Sequence, residues 1–486
     1  MDKDDFENYN LNDEIKDALK DMGYISPTKV QKEVIPLALQ RIDLIVRSNT
    51  GSGKTAAYGI PICHQIDWMI NKAQVLVLTP TRELAIQVKE DFTNIGRYKR
   101  VKATALLGGQ SFQGQQIELK QKTHIVVGTP GRVLDHIKKG TLSIDFINYL
   151  VIDEADEMLN MGFIDQVESI INKIKTDRVT MLFSATMPEQ VRKLSLKYMF
   201  EPINIDVLED VNNDITNNVQ NNIEHIQYKT EEIDKLSLLL DLTVVENPDT
   251  CIIFCNTKEQ VDKVYDCLKL EKYSCDKMHG GLEQRDRMLA IDKFKKGKFR
   301  YLIATNLVAR GIDVEGVPLI INYDIFPDKE VYIHRTGRTA RAGLSGKVIS
   351  LITPYDERYL SFIEDYIGFK ILNIEVPTKD EVLKSREAFD IKMKEKPTPK
   401  QSKAFKLNKQ IMKLRINIGK KKGIRATTFV GIISNIEGVT AEDIGIITIM
   451  DTLSFIEILN GKGQIVLNAM KRTKIKDKAM AINVVF

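Results

Sequence analysis

The 486-residue sequence predicts an α/β protein: two tandem parallel-sheet domains followed by a small α+β domain. Three observations carry this. Short apolar runs alternate with helical patterns from residue 43 to about 205, and the same alternation returns from 251 to 353. The runs are continuously apolar rather than alternating, as in strands buried between helices. Beyond residue 408 the order becomes strand, basic loop, helix, two strands, helix, strand, the βαββαβ plan of a ferredoxin-like domain.

Composition narrows the class. Hydrophobic residues at 43% and charged residues at 28% describe an ordinary globular chain. No run has the length of a membrane span, and the acidic start MDKDDFENYN is unlike a signal peptide, so a cytoplasmic location is expected. The five cysteines lack metal-ligand spacing and read as reduced thiols. Nothing repeats at a period of 20 to 50 residues, which excludes a solenoid. The net charge of +4 is uneven: residues 401–486 hold 15 Lys and Arg against 6 Asp and Glu, a net of +9, leaving −5 (55 against 60) for residues 1–400. A small domain with such an excess is a candidate for binding a polyanion, and nucleic acid is the expected one.

The first domain is read as residues 1–207. LNDEIKDALKDMGY has apolar residues at helical spacing and stops at Gly23; Pro27 then sets a turn, and Gln31 falls on the next helix, its amide chemically suited to read adenine. The apolar run DLIV leads into Ser48, Asn49, Thr50, Gly51, Ser52, Gly53, Lys54 and Thr55. A strand, a glycine-rich turn and Lys-Thr opening a helix make a phosphate-binding loop: backbone N–H groups wrap the phosphates, Lys54 reaches the outer two, and the Thr55 hydroxyl ligates Mg²⁺. Further on, YLVIDEAD runs a strand into three carboxylates. Asp153 at the strand end suits Mg²⁺ held through water, and Glu154 suits deprotonation of an attacking water. The strands expected here are DLIV, QVLVLT, ATALLG, HIVVGT, YLVID and TMLFSAT, and the loops PTREL, TPGR, DEAD and SAT all fall at strand carboxyl ends, where open α/β sheets bind ligands.

Asn-rich residues 208–222 read as a linker. The second domain, 223–376, has strands CIIFCN, SCDKMHG, YLIATN, LIINYD and KVISLIT but no phosphate loop. It carries HRTGRTARAG, with arginines at 335, 338 and 341; a guanidinium supplied from a second domain closing on ATP would act as an arginine finger. Residues 377–408 read as a charged helix and a linker, and 409–486 as the βαββαβ domain.

With these motifs placed, residues 1 to about 375 resemble the core of the DEAD-box ATP-dependent RNA helicases, whose two domains are RecA-like. The resemblance implies ATP and Mg²⁺ as cofactors and RNA as partner. It implies that Phe6 stacks on adenine beside Gln31, that Asp153, Glu154 and Asp156 form the family's named box, and that Ser184 to Thr186 link hydrolysis to strand separation. It places RNA-backbone contacts at Arg82 in PTRELA, Gly109, Thr129 and Arg132 in the first domain, and at Thr257, Gln284, Arg287 and Thr305 in the second. Asp313 would meet the ATP ribose, with Arg338 and Arg341 as fingers. Two positions depart from the family pattern: Asn306 stands where Asp is usual, removing a carboxylate expected to help couple ATP to RNA, and Ala340 stands where Gly is usual.

The tail, through NIGKKKGIRATTFVGIISNIEGVTAEDIGIITIMD, resembles the RRM-like RNA-binding domain of the bacterial DbpA/YxiN-type subfamily. That implies direction to large-subunit ribosomal RNA and pre-ribosomal particles, with Lys420, Lys421, Lys422 and Arg425 in the basic loop meeting RNA. Because contacts to phosphate carry no sequence information, the core is expected to bind RNA of any sequence and the tail to choose the site. The expected activity is RNA-stimulated ATP hydrolysis that separates short duplexes, as a monomer; the alternatives are a general cold-shock or RNA-decay helicase, or an ATP-gated RNA clamp with weak unwinding.

Overall fold

The computed structural model describes residues 5–48, 51–207, 223–306, 316–339, 345–397, 405–475 and 478–485. It divides into two compact units, residues 1–207 with 402–486, and residues 208–401.

In the first unit a seven-stranded parallel sheet runs in the order β3-β4-β2-β5-β6-β1-β7. Its strands are β1 (Leu44–Arg47), β2 (Val75–Leu78), β3 (Ala103–Leu106), β4 (Ile125–Gly128), β5 (Tyr149–Ile152), β6 (Val179–Ser184) and β7 (Ile203–Asp206). Residues of β2, β4, β5 and β6 are buried throughout, because helices cover both faces. The order decides where function gathers. β6 lies between β1 and β5, so the loops after β1, β5 and β6 share one half of the carboxyl edge, and those after β2, β3 and β4 share the other. The helix Asp13–Asp21 ends before Gly23, which has φ 76°, and Lys29–Leu39 carries Gln31, as the sequence predicts.

The second unit holds another seven-stranded parallel sheet, β10-β11-β9-β12-β13-β8-β14, built from β8 (Ile223–Lys229), β9 (Cys251–Cys255), β10 (Cys275–Met278), β11 (Tyr301–Thr305), β12 (Leu319–Asn322), β13 (Gly346–Ile352) and β14 (Leu372–Asn373). β7, β8 and β14 are absent from the sequence reading. β7 and β14 are exposed edge strands, and β8, IEHIQYK, mixes charge into its apolar run. The charged helix, Lys379–Lys394, packs on this unit: Phe389 is buried beside Tyr273, and the buried Arg300 guanidinium donates to the carbonyls of Asp249 (2.8 Å) and Lys392 (3.0 Å).

The tail forms an antiparallel sheet in the order β16-β17-β15-β20, from β15 (Met412–Ile416), β16 (Ile444–Ile449), β17 (Ser454–Ile458) and β20 (Ile482–Val485); β18 (Lys474–Ile475) and β19 (Lys478–Ala479) make a separate ribbon. Leu414, Ile416, Ile456 and Ile458 bury one face in a core with Phe429 and Val466 from the helices Ala426–Ser434 and Gly463–Arg472, the expected βαββαβ arrangement.

Candidate active site

The phosphate loop follows β1. Gly53 adopts φ 94° and caps the helix Lys54–Gln65, and a Cβ there would strike the Gln31 side chain, so both conformation and space require glycine. Lys54 is buried, its Nζ donating to the Ser48 carbonyl at 3.3 Å, and the Ser52 hydroxyl meets that of Ser48. Gln31 is also buried. Its Oε1 accepts from the Thr28 N–H (3.0 Å) and its Nε2 donates to the Gly53 carbonyl (3.2 Å), while the Thr28 hydroxyl donates to the Ser52 carbonyl (2.8 Å). The lead-in thus grips the loop from behind. Phe6 is buried in the same lead-in, 5.7 Å edge-on from Tyr24. Asn49 and Thr50 lie outside the described residues, as do Asp313, Ala340 and Arg341.

Across β6, Asp153 follows β5 and is only 2% exposed. Its Oδ2 accepts from the Tyr58 hydroxyl at 2.8 Å, and its Oδ1 is buried without a hydrogen-bond partner. Burial raises the carboxyl's pKa, opposed by the Lys54 charge and the Tyr58 hydrogen bond. Glu154 sits at φ 53° as the N-cap of the helix Ala155–Asn160, a left-handed conformation that costs a non-glycine residue roughly 1–3 kcal/mol and that clusters at functional sites. Asp156 reaches onward: Oδ2 accepts from the backbone N–H groups of Ala185 (3.1 Å) and Thr186 (2.8 Å) and from the Thr186 hydroxyl (3.0 Å), while the Ser184 hydroxyl accepts from the Asp156 N–H (3.2 Å). One buried carboxylate therefore joins the loop after β5 to the loop after β6, and any shift of one is felt by the other.

The second half of the edge collects basic residues. Arg82 opens the helix after β2, and its guanidinium lies against Gly108 and Gly109, where a side chain on Gly109 (φ 75°) would collide with it. Thr129 caps the helix Pro130–Lys138. Arg132 donates to the Gln110 carbonyl (3.0 Å) and to Gln115 Oε1 (3.1 Å). Arg82, Gly109, Thr129 and Arg132 thus come together along one edge.

In the second unit Thr257 caps the helix Lys258–Leu270, Gln284 and Arg287 pair on the helix Gln284–Lys295, and Thr305 ends β11. Arg338 is buried, its carbonyl accepting from the Val317 N–H. Arg335 is buried too: its guanidinium donates to Asn306 Oδ1 (2.6 Å), Asn322 Oδ1 (2.9 Å), Asn256 Oδ1 (3.1 Å) and the Asp324 carbonyl (2.6 Å). The Nδ2 of Asn306 is buried with no hydrogen-bond partner. In the tail, Lys420, Lys421 and Lys422 form an exposed turn after β15, held by their own backbone on the carbonyls of Met450 and Asp451; exposed Arg425 caps the helix Ala426–Ser434.

Residues 28–194 match the DEAD/DEAH box helicase family, 234–343 the helicase conserved C-terminal domain, and 413–484 the DbpA RNA binding domain. The ATP-dependent RNA helicase DbpA of Bacillus subtilis (strain 168) is 56% identical over 478 residues, 98% of each chain. The chain belongs to the DEAD-box ATP-dependent RNA helicases, DbpA subfamily. The DEAD-box helicase CshA of the same organism is 40% identical over 382 residues, 79% of this chain and 76% of its own. A solved structure of S. cerevisiae Dbp5 bound to RNA and ADP BeF3 matches with a TM-score of 0.70 and 29% identity, covering 79% of this chain and 99% of that one.

Membership makes this an RNA helicase and ATPase with an RNA-binding domain in its tail. Tyr58, bonded to Asp153, is a neighbour of the candidate site that the sequence reading does not single out, since nothing local links it to Asp153, 95 positions away. Among the described residues no helix is long and apolar enough to cross a membrane.

Proposed function

We propose that this helicase separates short RNA duplexes during assembly of the large ribosomal subunit, in the cytoplasm and as a monomer, brought to its site by tail binding to large-subunit ribosomal RNA. The observation that carries this is the exposed Lys420–Lys422 turn with Arg425, set in a domain of the DbpA RNA-binding type. A backbone-reading core has no means of choosing a site, so the address falls to the tail.

ATP phosphates would lie in the loop 48–55, with Gln31 and Phe6 on the base side and Asp313 at the ribose. The donor set suits Mg²⁺, a cation that takes oxygen ligands and keeps several waters, because Asp153 Oδ1 is buried without a partner and Thr55 stands in the first turn of the helix that follows the phosphate loop. When bound, Mg²⁺ supplies neutralising charge at the outer phosphates. Glu154 would take the proton of the attacking water as its oxygen bonds the γ-phosphorus and the bond from that phosphorus to the β,γ-bridging oxygen breaks, releasing ADP and phosphate. Arg338 and Arg341 would stabilise the γ-phosphoryl charge once the second domain closes. RNA would run over Arg82, Gly109, Thr129 and Arg132, and over Thr257, Gln284, Arg287 and Thr305. Asp156, bonded to Ser184 and Thr186, would pass the state of the ATP site to strand separation.

The test compares ATPase stimulation by large-subunit rRNA fragments and by random RNA, with and without residues 409–486. The expected result is a strong preference for one rRNA fragment that vanishes with the tail while activity on saturating random RNA remains. Equal stimulation by both would favour a general helicase. Stimulated ATPase without strand separation would favour the clamp, a reading that Asn306, standing where the family usually has Asp, supports.

A further inference from the structure

The tail does not hang free of the first ATPase domain. The chain entering it is seated first: Leu407 is fully buried in the same apolar core as Ile15 and Phe92, and Ile411 packs against that core. Next, the turn after the helix Arg82–Ile95 takes hold of the tail sheet. Arg97 Nη1 lies 3.1 Å from Glu457 Oε1, with side chains only 12% and 8% exposed. Arg100 donates from Nε to the Ile444 carbonyl (2.8 Å) and from Nη2 to the Ala441 carbonyl (2.7 Å), satisfying acceptors where β16 begins. Arg100 takes φ 60° in this turn, and its guanidinium also lies over the Trp68 ring, 5.3 Å from its centre.

Charge fits this arrangement. Glu457 is a buried carboxylate on the sheet face that also bears Lys413 and Arg415. Lys413 Nζ is 3.9 Å from Glu457, and Lys102 of the first domain feels both; burial pushes its ammonium down to about 8. An acid buried among cations repels RNA phosphate but satisfies a guanidinium.

We infer that the Glu457 and Ile444 end of the tail sheet is a docking surface for the Arg97–Arg100 turn of the first ATPase domain, so that the tail and that domain move as one body. The register leaves the RNA side open. Glu457 pairs with Lys413 near the start of β15, whereas Lys420–Lys422 follow its far end at Ile416, about 10 Å along the strand at about 3.3 Å per residue. Docking and RNA binding therefore occupy opposite ends of one sheet. A site chosen by the tail would position the ATP-binding domain directly, without passing through the second domain.

The test uses the full chain with Cys267→Ser, the other native cysteines being buried. Spin labels go on Glu90→Cys and Asn468→Cys, both exposed, and the distance between them is measured without RNA or nucleotide. One narrow distribution is expected. Arg97→Ala with Arg100→Ala, which leaves the tail's own residues intact, should at least double its width. Glu457→Gln, an isosteric change on the other side, should broaden it in the same direction. A distribution already broad in the unsubstituted chain, or one that stays narrow in both variants, overturns the inference.

Discussion

The Tyr58 hydroxyl donates to Asp153 Oδ2 at 2.8 Å, and both residues are buried. A hydrogen bond from the phosphate-loop helix to the carboxylate after β5 fixes how that carboxylate is turned and leaves its second oxygen buried without a partner. Groups that orient a metal ligand typically cost 10–100-fold in affinity or activity when removed. Tyr58→Phe keeps the ring against Phe92 and Phe183 and deletes only the donor. RNA-stimulated turnover should fall by about that factor, with the Mg²⁺ concentration for half-activity rising and ATP affinity little changed. An unchanged Mg²⁺ titration would remove Tyr58 from the site.

Glu154 and Lys54 should separate chemistry from binding. Removing the base slows the proton transfer without emptying the loop, so Glu154→Gln should retain ATP and RNA binding while turnover collapses; Lys54→Ala should weaken ATP binding itself. Wild-type turnover of Glu154→Gln in saturating RNA would refute the base assignment.

The family's ATP use is legible because the candidate nucleotide motifs are contiguous in sequence: a glycine loop after an apolar run, and carboxylates at a strand end. The fold class was legible because continuous apolar runs have few other uses. What escaped depends on tertiary partners. Tyr58 looks like any core aromatic until Asp153 is seen above it. Gln31 reads as an adenine group, yet its amide also bonds the Thr28 N–H and the Gly53 carbonyl. The edge strands β7 and β14 bury too little to leave a pattern, and β8 hides its pairing with β13 behind charged positions.

Asn306 offers a test of the departure from the family pattern. It meets the buried Arg335 through one oxygen and leaves its amide nitrogen buried and unpartnered. Asn306→Asp replaces that nitrogen with an acceptor and turns a hydrogen bond from a cation to a neutral amide into an ion pair with Arg335. The second domain's thermal transition should rise by a few degrees. A lower transition would mean that the carboxylate's desolvation outweighs its pairing.

Acid should weaken the first domain through His124. Its Nδ1 accepts from the Lys102 N–H (2.9 Å), so the proton of the neutral ring sits on Nε2, 3.0 Å from the Trp68 carbonyl. Burial first, then the Lys122 charge, pushes its pKa down to about 4, and burial does the same to His136. A depressed histidine stays neutral in the fold and gains a proton on unfolding. Stability is therefore full above about pH 6.5 and declines towards pH 4, by a few kcal/mol at most per residue. Urea unfolding followed by Trp68, the single tryptophan, should show a midpoint that drops across this window, with a shallower drop in His124→Gln. A midpoint flat from pH 6.5 to 4 would contradict it.

The basic turn carries the last prediction. Lys420, Lys421, Lys422 and Arg425 are exposed, and the backbone N–H groups of Lys420 and Lys421 hold the turn on the carbonyls of Met450 and Asp451. Changing all four to Ala should therefore leave the tail folded. Gly419 has to remain, because a Cβ there would collide with the Met450 carbonyl. Every phosphate that a basic side chain neutralises adds about 0.7 to 0.9 to the steepness of log affinity against log salt. If all four meet phosphate, the slope for the preferred rRNA fragment should flatten by about 3 in the variant, while ATPase on saturating random RNA stays near normal. A collapse of that ATPase would place the four residues in the core's own RNA path. An unchanged slope on a folded variant would move the address to another face of the tail.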